Sequence, residues 1–81
     1  MNVVVRLFAA AREIAGCDPI SVEIPSPATV GALRTALNSA LPALAPLAER
    51  SLIAVNAAYA DDGATISAND EVALIPPVSG G

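Results

Sequence analysis

The sequence predicts an α+β domain, in which a mixed sheet is covered on one face by one long helix. Three observations indicate this fold class. Segments with the two-residue alternation of strands recur along the chain, and one central segment has apolar side chains at helical spacing. Neither an internal repeat nor a long linker divides the 81 residues, a length that suits one domain. The predicted order is strand, short helix, strand, long helix, helical turn and three strands.

The chain opens with a strand that is followed by a short helix. Residues 2–9 alternate, and the face expected to lie toward the core is apolar: Val3, Val5 and Leu7. Arg6 is on the opposite face, which should look outward. The segment 9–15 then consists mostly of good helix formers. Gly16 follows it, and glycine readily takes the left-handed conformation after a helix end, so we predict a helix of two turns.

A second strand and the main helix come next. Residues 20–24 alternate, and Pro25 ends the strand. Thr29 is a candidate N-cap, because its hydroxyl oxygen can accept a hydrogen bond from the first helical turn. An apolar stripe at three- and four-residue spacing follows: Val30, Leu33, Leu37 and Leu41, with Ala36 and Ala40 on the same side. We interpret this stripe as core, and Pro42 should end the helix.

The second half of the chain is predicted to complete the sheet. Leu44 and Leu47 indicate a further helical turn that closes the same core. Residues 52–56 and 71–75 have the composition of strands, with a short segment at 57–60 after the first of them. Turns are expected at 61–63 and 68–70, and Asn69 is able to adopt the left-handed conformation.

The composition excludes several classes of function. The chain has no histidine and a single cysteine, Cys17, so a transition-metal site has almost no ligands and no internal disulfide can form. We expect no metal, no bound cofactor and no role for Cys17. The net charge is −4, and the chain has no lysine, which disfavours nucleic acid and suits a partner with a basic face. No apolar run approaches the roughly 18 residues of a membrane span, so we expect a cytoplasmic protein without a membrane partner.

The last six residues, Pro76-Pro77-Val78-Ser79-Gly80-Gly81, resemble an arm built for insertion. Proline donates no backbone hydrogen bond, so the pair should end the last strand and direct the chain away from the domain. Glycine has no Cβ and can enter a narrow channel, which leaves the carboxylate of Gly81 as the reactive group. We therefore predict a domain at 1–75 and a tail of that domain at 76–81. The alternative is a frayed end without function.

Three motifs make the sequence similar to a known family, the small subunit of molybdopterin synthase. The segment 8–16, Phe-Ala-Ala-Ala-Arg-Glu-Ile-Ala-Gly, resembles that family's F-A-x-x-R-E-x-x-G opening. Ala54-Val55-Asn56 resembles its mid-chain strand, and residues 70–81 are close to its ending. The departures are Ala68-Asn69, where the family commonly has Asp-Gly, and Cys17. The resemblance implies a ubiquitin-like β-grasp fold: a mixed five-stranded sheet, one main helix packed on one face and an extended C-terminal Gly-Gly tail.

The resemblance also implies a role as sulfur carrier in molybdenum cofactor biosynthesis. In this family an activating enzyme uses ATP to adenylate the terminal carboxylate, here that of Gly81. A sulfur donor protein converts the adenylate to a thiocarboxylate, and the tail delivers sulfur to a pterin precursor in the large subunit. The implied partners are that large catalytic subunit, in a heterotetramer, the activating enzyme and the sulfur donor. The chain itself would be a non-catalytic subunit without an active site of its own.

A docking surface follows from strand alternation and from the implied fold. First and last strands are neighbours in a β-grasp sheet, so Phe8 and Ile75 should lie together on the face away from the helix, with Tyr59 at the sheet margin. An exposed apolar cluster beside an inserting arm is typical of an interface. The expected partner-binding residues are Phe8, Tyr59, Ile75, Pro76, Pro77, Val78, Ser79 and Gly80. The alternative for Phe8 is burial under the short helix.

Three other functions remain open from the sequence. The first is another β-grasp sulfur carrier, for thiazole or cysteine synthesis, although such carriers usually lack the R-E-x-x-G motif. The second is a ubiquitin-like protein modifier, which could not build lysine-linked polymers of itself because the chain has no lysine. The third is an interaction module with an inert tail. The modification found on Gly81 would separate these functions.

Overall fold

The computed structural model of the chain describes residues 1–77. Its elements are β1 (Asn2–Leu7), α1 (Ala9–Ala15), β2 (Ile20–Glu23), β3 (Ala28–Thr29), α2 (Val30–Ala40), a 3-10 turn (Pro42–Leu44), α3 (Ala45–Arg50), β4 (Leu52–Val55), β5 (Ala58–Tyr59), β6 (Thr65–Ile66) and β7 (Val72–Ile75). The predicted α+β class is confirmed, and so is the order in which the main strands and helices follow one another.

The main sheet has five strands in the order β2-β1-β7-β4-β5. β1 and β7 run parallel, with Leu7 opposite Leu74, whereas the other neighbours are antiparallel. The sheet is therefore mixed, as predicted. The last strand lies at its centre, and this position fixes where the chain leaves the domain.

One apolar core holds the sheet and the helices together. Its members are side chains that alternate along the strands or recur along α2: Val3, Val5, Leu7, Ala11, Val22, Ile24, Ala28, Val30, Leu33, Leu37, Leu44, Ala48, Ile53, Ile66, Val72 and Leu74. Leu33, Leu37 and Leu74 are fully buried. Burial of each such side chain contributes about 1.5–3 kcal/mol, so the stripe of α2 is the main stabilising feature of the helix, as predicted.

Both predicted helix boundaries are formed by local interactions. Gly16 follows α1 with a φ of 74°, and its N–H donates to the carbonyl of Arg12 at 2.9 Å. Thr29 precedes α2, and its Oγ1 accepts a hydrogen bond from the N–H of Ala32 at 3.1 Å. The two caps satisfy backbone groups that a helix end leaves without a partner, which is why residue type alone located them.

Two features differ from the sequence predictions. β3 and β6 form a separate two-stranded ladder, with Ala28 opposite Ile66, that was not predicted. Asn69 does not use the left-handed conformation open to it, whereas positive φ occurs at Ala9 (49°) and, between β4 and β5, at Asn56 (52°) and Ala57 (69°). The turn at 67–70 closes without it, since the carboxylate of Asp70 accepts the N–H of Ser67 at 2.8 Å.

Arg34 of α2 joins the helix to two distant segments. Its Nη1 donates to the carbonyl oxygens of Ala48 at 2.6 Å and Ser51 at 2.9 Å, at the end of α3. Its Nε donates to the carboxylate of Asp62 at 2.8 Å. The guanidinium thus supplies a donor to the Ser51 carbonyl and a second donor to the Ala48 carbonyl, which also accepts the N–H of Ser51 at 3.2 Å.

Candidate functional site

The root of the tail lies at the end of the central strand. β7 ends at Ile75, and Pro76 is half-buried while Pro77 is exposed. The predicted site residues Val78, Ser79, Gly80 and Gly81 lie outside the described residues. Because β7 has neighbours on both sides, the direction in which the chain leaves the domain is set by the middle of the sheet.

The sheet has one face that carries several exposed apolar side chains. We define this open face by the residues whose side chains alternate with the core: Val4, Arg6, Phe8, Leu52, Ala54, Tyr59, Ala73 and Ile75. Strand register places its members in rows. Arg6 lies opposite Ala73, Ala73 lies opposite Ala54, and Ala54 lies opposite Tyr59. The open face therefore extends across four neighbouring strands.

The predicted docking residues lie on or beside this face. Phe8 is 46% exposed and has an extended backbone just before α1, so the alternative of burial under the short helix is wrong. Phe8 follows Leu7, whose register partner Leu74 precedes Ile75, and the structure thus brings Phe8 and Ile75 to the same end of neighbouring strands. Tyr59 is 69% exposed on the edge strand β5.

Two further members of the open face were missed by the sequence prediction. Val4 is 47% exposed and Leu52 is 50% exposed, and Leu52 lies directly opposite Ile75. Alternation within residues 52–56 already separates Leu52 from Ile53. What the sequence lacks is the register between β4 and β7, which decides that Leu52 is a neighbour of Ile75.

A cavity of about 340 Å³ opens on this face. Its lining combines apolar and charged residues from β1 and from the start of β7: Val4, Arg6, Phe8, Asp70, Glu71, Val72 and Ala73. A second and shallower groove, of about 820 Å³, lies between β2 and the side of α2 that carries Ala36 and Ala40. The first of these cavities belongs to the open face and the second does not.

Asp18 binds the backbone at the end of β1 and forms an ion pair with Arg6. Its Oδ1 accepts the backbone N–H of Leu7 at 2.8 Å, and the Arg6 guanidinium donates to the same carboxylate at 3.3 and 3.4 Å. The N–H of Leu7 first, and then the hydrogen bond from Arg6, hold the pKa of Asp18 below its ordinary value. Cys17, next to it, is an exposed free thiol.

Asp70 lines the cavity on the open face and holds the turn before β7. Besides the N–H of Ser67, its carboxylate accepts Nδ2 of Asn56 at 3.0 Å, and Asn56 Oδ1 in turn accepts the N–H of Glu71 at 2.9 Å. The N–H of Ser67, and then the Asn56 amide, lower the pKa of Asp70. This network joins the turn after β4 to the start of β7 and favours the ionised form of the carboxylate.

The described part of the chain presents an exposed apolar surface beside the root of the tail. Within residues 1–77, no three His, Cys, Asp or Glu side chains are grouped so that they could hold a metal ion. Over the same range, every helix is too short or too polar to cross a bilayer. What the residues do present is exposed apolar area beside the root of the tail, and this is the chemistry of docking.

The sheet order, with its last strand at the centre and one main helix against the core, defines a ubiquitin-like β-grasp domain. The solved structure of small archaeal modifier protein 1 from Haloferax volcanii has the same fold, with a TM-score of 0.86 at 33% identity over 95% of this chain and 98% of that chain. The sequence matches the ThiS family over residues 5–81, and the chain belongs to that family.

Curated relatives extend over nearly the whole chain. A molybdopterin synthase sulfur carrier subunit of Dictyostelium discoideum is 41% identical over 78 residues, which cover 93% of this chain and 91% of the relative. The subunit of the same name in Arabidopsis thaliana is 35% identical over 81 residues, which cover 100% of this chain and 84% of the relative. The family resemblance that the three sequence motifs predicted is thereby confirmed.

Proposed function

We propose that this chain is the sulfur carrier subunit of a molybdopterin synthase. The observation that carries the proposal is the similarity to sulfur carrier subunits along nearly the full length of the chain. The position of the tail supports it, because a strand held on both sides leads directly to the Pro-Pro pair. In this role the chain is a substrate arm, and the catalytic groups belong to its partners.

The carrier chemistry is proposed to take place on the carboxylate of Gly81. A carboxylate is a poor electrophile, so one of its oxygens first attacks ATP in the activating enzyme, and pyrophosphate leaves. A sulfur donor then displaces AMP from the acyl-adenylate and leaves a thiocarboxylate. Sulfur passes to the pterin precursor in the large subunit, where cations and proton donors stabilise the developing charges. The proposal places these steps in the cytoplasm, with ATP bound by the activating enzyme.

Mass spectrometry of the protein isolated from its host tests this chemistry. The expected result is exchange of one oxygen for sulfur at Gly81. Deleting Gly81, or adding one residue after it, should abolish the exchange without changing the unfolding transition, because the core of the described residues is formed between Val3 and Leu74. Sulfur transfer by a chain with a blocked C-terminus would refute the proposal.

The open face is the proposed docking surface for the large subunit. The apolar side chains of the open face lie on and beside β7, the strand that leads to the tail. A partner that covers the open face would therefore also receive the tail. Truncation of a central interface residue typically costs about 2 kcal/mol or more, which is roughly thirtyfold in affinity. Phe8→Ala and Ile75→Ala should each weaken binding of the large subunit by this order.

The control for this experiment is Ile14→Ala, which removes a similarly exposed apolar side chain (45%) on α1. Ile14 is not a member of the open face, and its truncation should leave affinity unchanged. The free energy of unfolding is measured for each variant. Unchanged binding by Phe8→Ala, or a loss of affinity that only follows lost stability, would contradict docking at this face.

A protein modifier is the second candidate function, and the fold shared with the Haloferax volcanii modifier protein favours it. The chemistry would differ only after activation, when an amine of another protein attacks the Gly81 carbonyl instead of a sulfur donor. Intact mass measurement separates the two functions. A covalently attached protein supports the modifier, whereas a thiocarboxylate supports the carrier.

A further inference from the structure

The open-face cavity has an acidic end, and its occupant can be inferred from its lining. Val4, Phe8 and Ala73 supply apolar contacts, while Asp70 and Glu71 line the same cavity. We propose that this cavity receives the side chain of an arginine or lysine from the docking partner. The inference rests on the proposed function, because the partner is the large subunit that covers the open face.

The charges around the cavity favour a cationic occupant. Arg6 is the one basic residue in the lining, and its Nε and Nη2 both donate to the Asp18 carboxylate, so its charge is already balanced. Asp70 is engaged with Ser67 and Asn56, one contact to each of its two oxygens. These contacts are neutral, so they leave the negative charge of Asp70 uncompensated.

Glu71 is the acceptor available to the incoming group. Its side chain is exposed, and within residues 1–77 its backbone N–H is bound by Asn56 while no ion pair engages its carboxylate. A cation that enters from the partner would therefore meet one free carboxylate and the field of Asp70. The side chain of an acidic partner residue would be repelled from the same position.

The apolar part of the lining fits the stem of the same side chain. Lysine and arginine bury their methylene groups along apolar surface while the charged head stays at a polar rim. The exposed side chain of Phe8 extends the apolar part of this lining. A volume of about 340 Å³ is ample for one such side chain.

The first test uses N-acetylarginine amide as a probe in NMR titrations of the full chain. We expect its addition to shift the backbone amides of Glu71, Val72 and Ala73, and N-acetylnorleucine amide, which has no charge, to shift them much less. Glu71→Gln should abolish the difference between the probes. Equal shifts with both probes would overturn the inference.

The second test measures affinity for the large subunit at low and high sodium chloride. Glu71→Gln should weaken binding about threefold to fivefold at low salt and reduce its salt dependence, since one exposed ion pair is lost. Glu49→Gln, an exposed acid of α3, is the matched control and should change neither quantity. Wild-type affinity and salt dependence in Glu71→Gln would refute the cationic occupant and leave the proposed function standing.

The two tests also separate the two proposals. A wild-type chain that fails to bind the large subunit, yet still prefers the arginine probe at Glu71, would refute the proposed function and support a cation-binding cavity.

Discussion

Arg34 shows how much of this small fold depends on single polar side chains. It is mostly buried, with 20% of its side chain exposed, and it donates to two carbonyls at the end of α3. Hydrogen bonds from a charged donor contribute about 1.5–3 kcal/mol each, and a buried carbonyl left without a donor is costly. The ion pair with Asp62, which is 66% exposed, should contribute far less.

We predict that Arg34→Ala lowers the free energy of unfolding by about 2–3 kcal/mol, because two hydrogen bonds from a charged donor are lost and the Ala48 carbonyl keeps only the N–H of Ser51. Asp62→Ala, which removes only the exposed partner, should cost less than about 1 kcal/mol. Urea denaturation of the two variants measures both values. Equal losses would show that the ion pair, and not the carbonyl contacts, carries the stabilisation.

Asp18 and Asp70 should make stability depend on pH in the acidic range. The N–H of Leu7 lowers the pKa of Asp18 and the N–H of Ser67 lowers the pKa of Asp70 in the folded chain. A lowered folded pKa means that the stabilisation is fully present above the unfolded pKa of about 3.9 and is lost as pH falls through the folded pKa.

Wild type is therefore expected to lose stability as pH falls from about 5 to about 2. Asp70→Asn should reduce the slope of unfolding free energy against pH, and Asp18→Asn combined with it should reduce the slope further. Denaturation series at several pH values measure these slopes. A double variant with the wild-type slope would assign acid sensitivity to other carboxylates.

At the scale of elements, α2 depends on a cap as well as on its apolar stripe. Thr29→Ala removes the acceptor of the Ala32 N–H and should lower the free energy of unfolding by about 1 kcal/mol. Thr29→Ser keeps the hydroxyl and should cost much less. Thermal and urea unfolding of both variants test this prediction, and equal losses would mean that the methyl group, rather than the cap, is what matters.

The sequence predicted those elements whose cause is local. Gly16 and Thr29 are recognisable as cap residues without knowledge of the fold, and the stripe of α2 is visible as a period. The β3–β6 ladder was missed because two-residue segments have no periodicity, and Ala28 meets Ile66 only once the core has formed. Left-handed backbone at Asn56 and Ala57, rather than at Asn69, follows from the hairpin that joins β4 and β5.

The candidate site was predictable to a similar extent. Alternation alone placed Phe8 on the face opposite the core, and the family resemblance placed Ile75 beside it. Leu52 and Val4 were missed because their contribution depends on strand register, which the sequence does not contain. The cavity near Glu71 could not be foreseen either, since it combines residues from the two ends of the chain.

For the molecule as a whole, the absence of lysine limits what can be attached to it. The four basic side chains are all arginines, and no lysine amine is available to a second copy of the activated chain. We predict that each acceptor site in host extracts carries a single copy of this chain. An immunoblot should then show a mass increase of one copy for each occupied site. A regular ladder in which copies are joined to one another, identified by peptide mapping, would contradict this prediction.

The parallel pairing of β1 with β7 has a mechanical consequence. A pull on the chain beyond Pro77 acts along β7, which is bonded to β1 on one side and to β4 on the other. The load is then directed along the strands, whereas the individual interstrand hydrogen bonds on both sides of β7 run across them. All of them must shear together instead of opening one after another, as they would at an edge strand. The domain should therefore stay folded when a partner grips and releases its end.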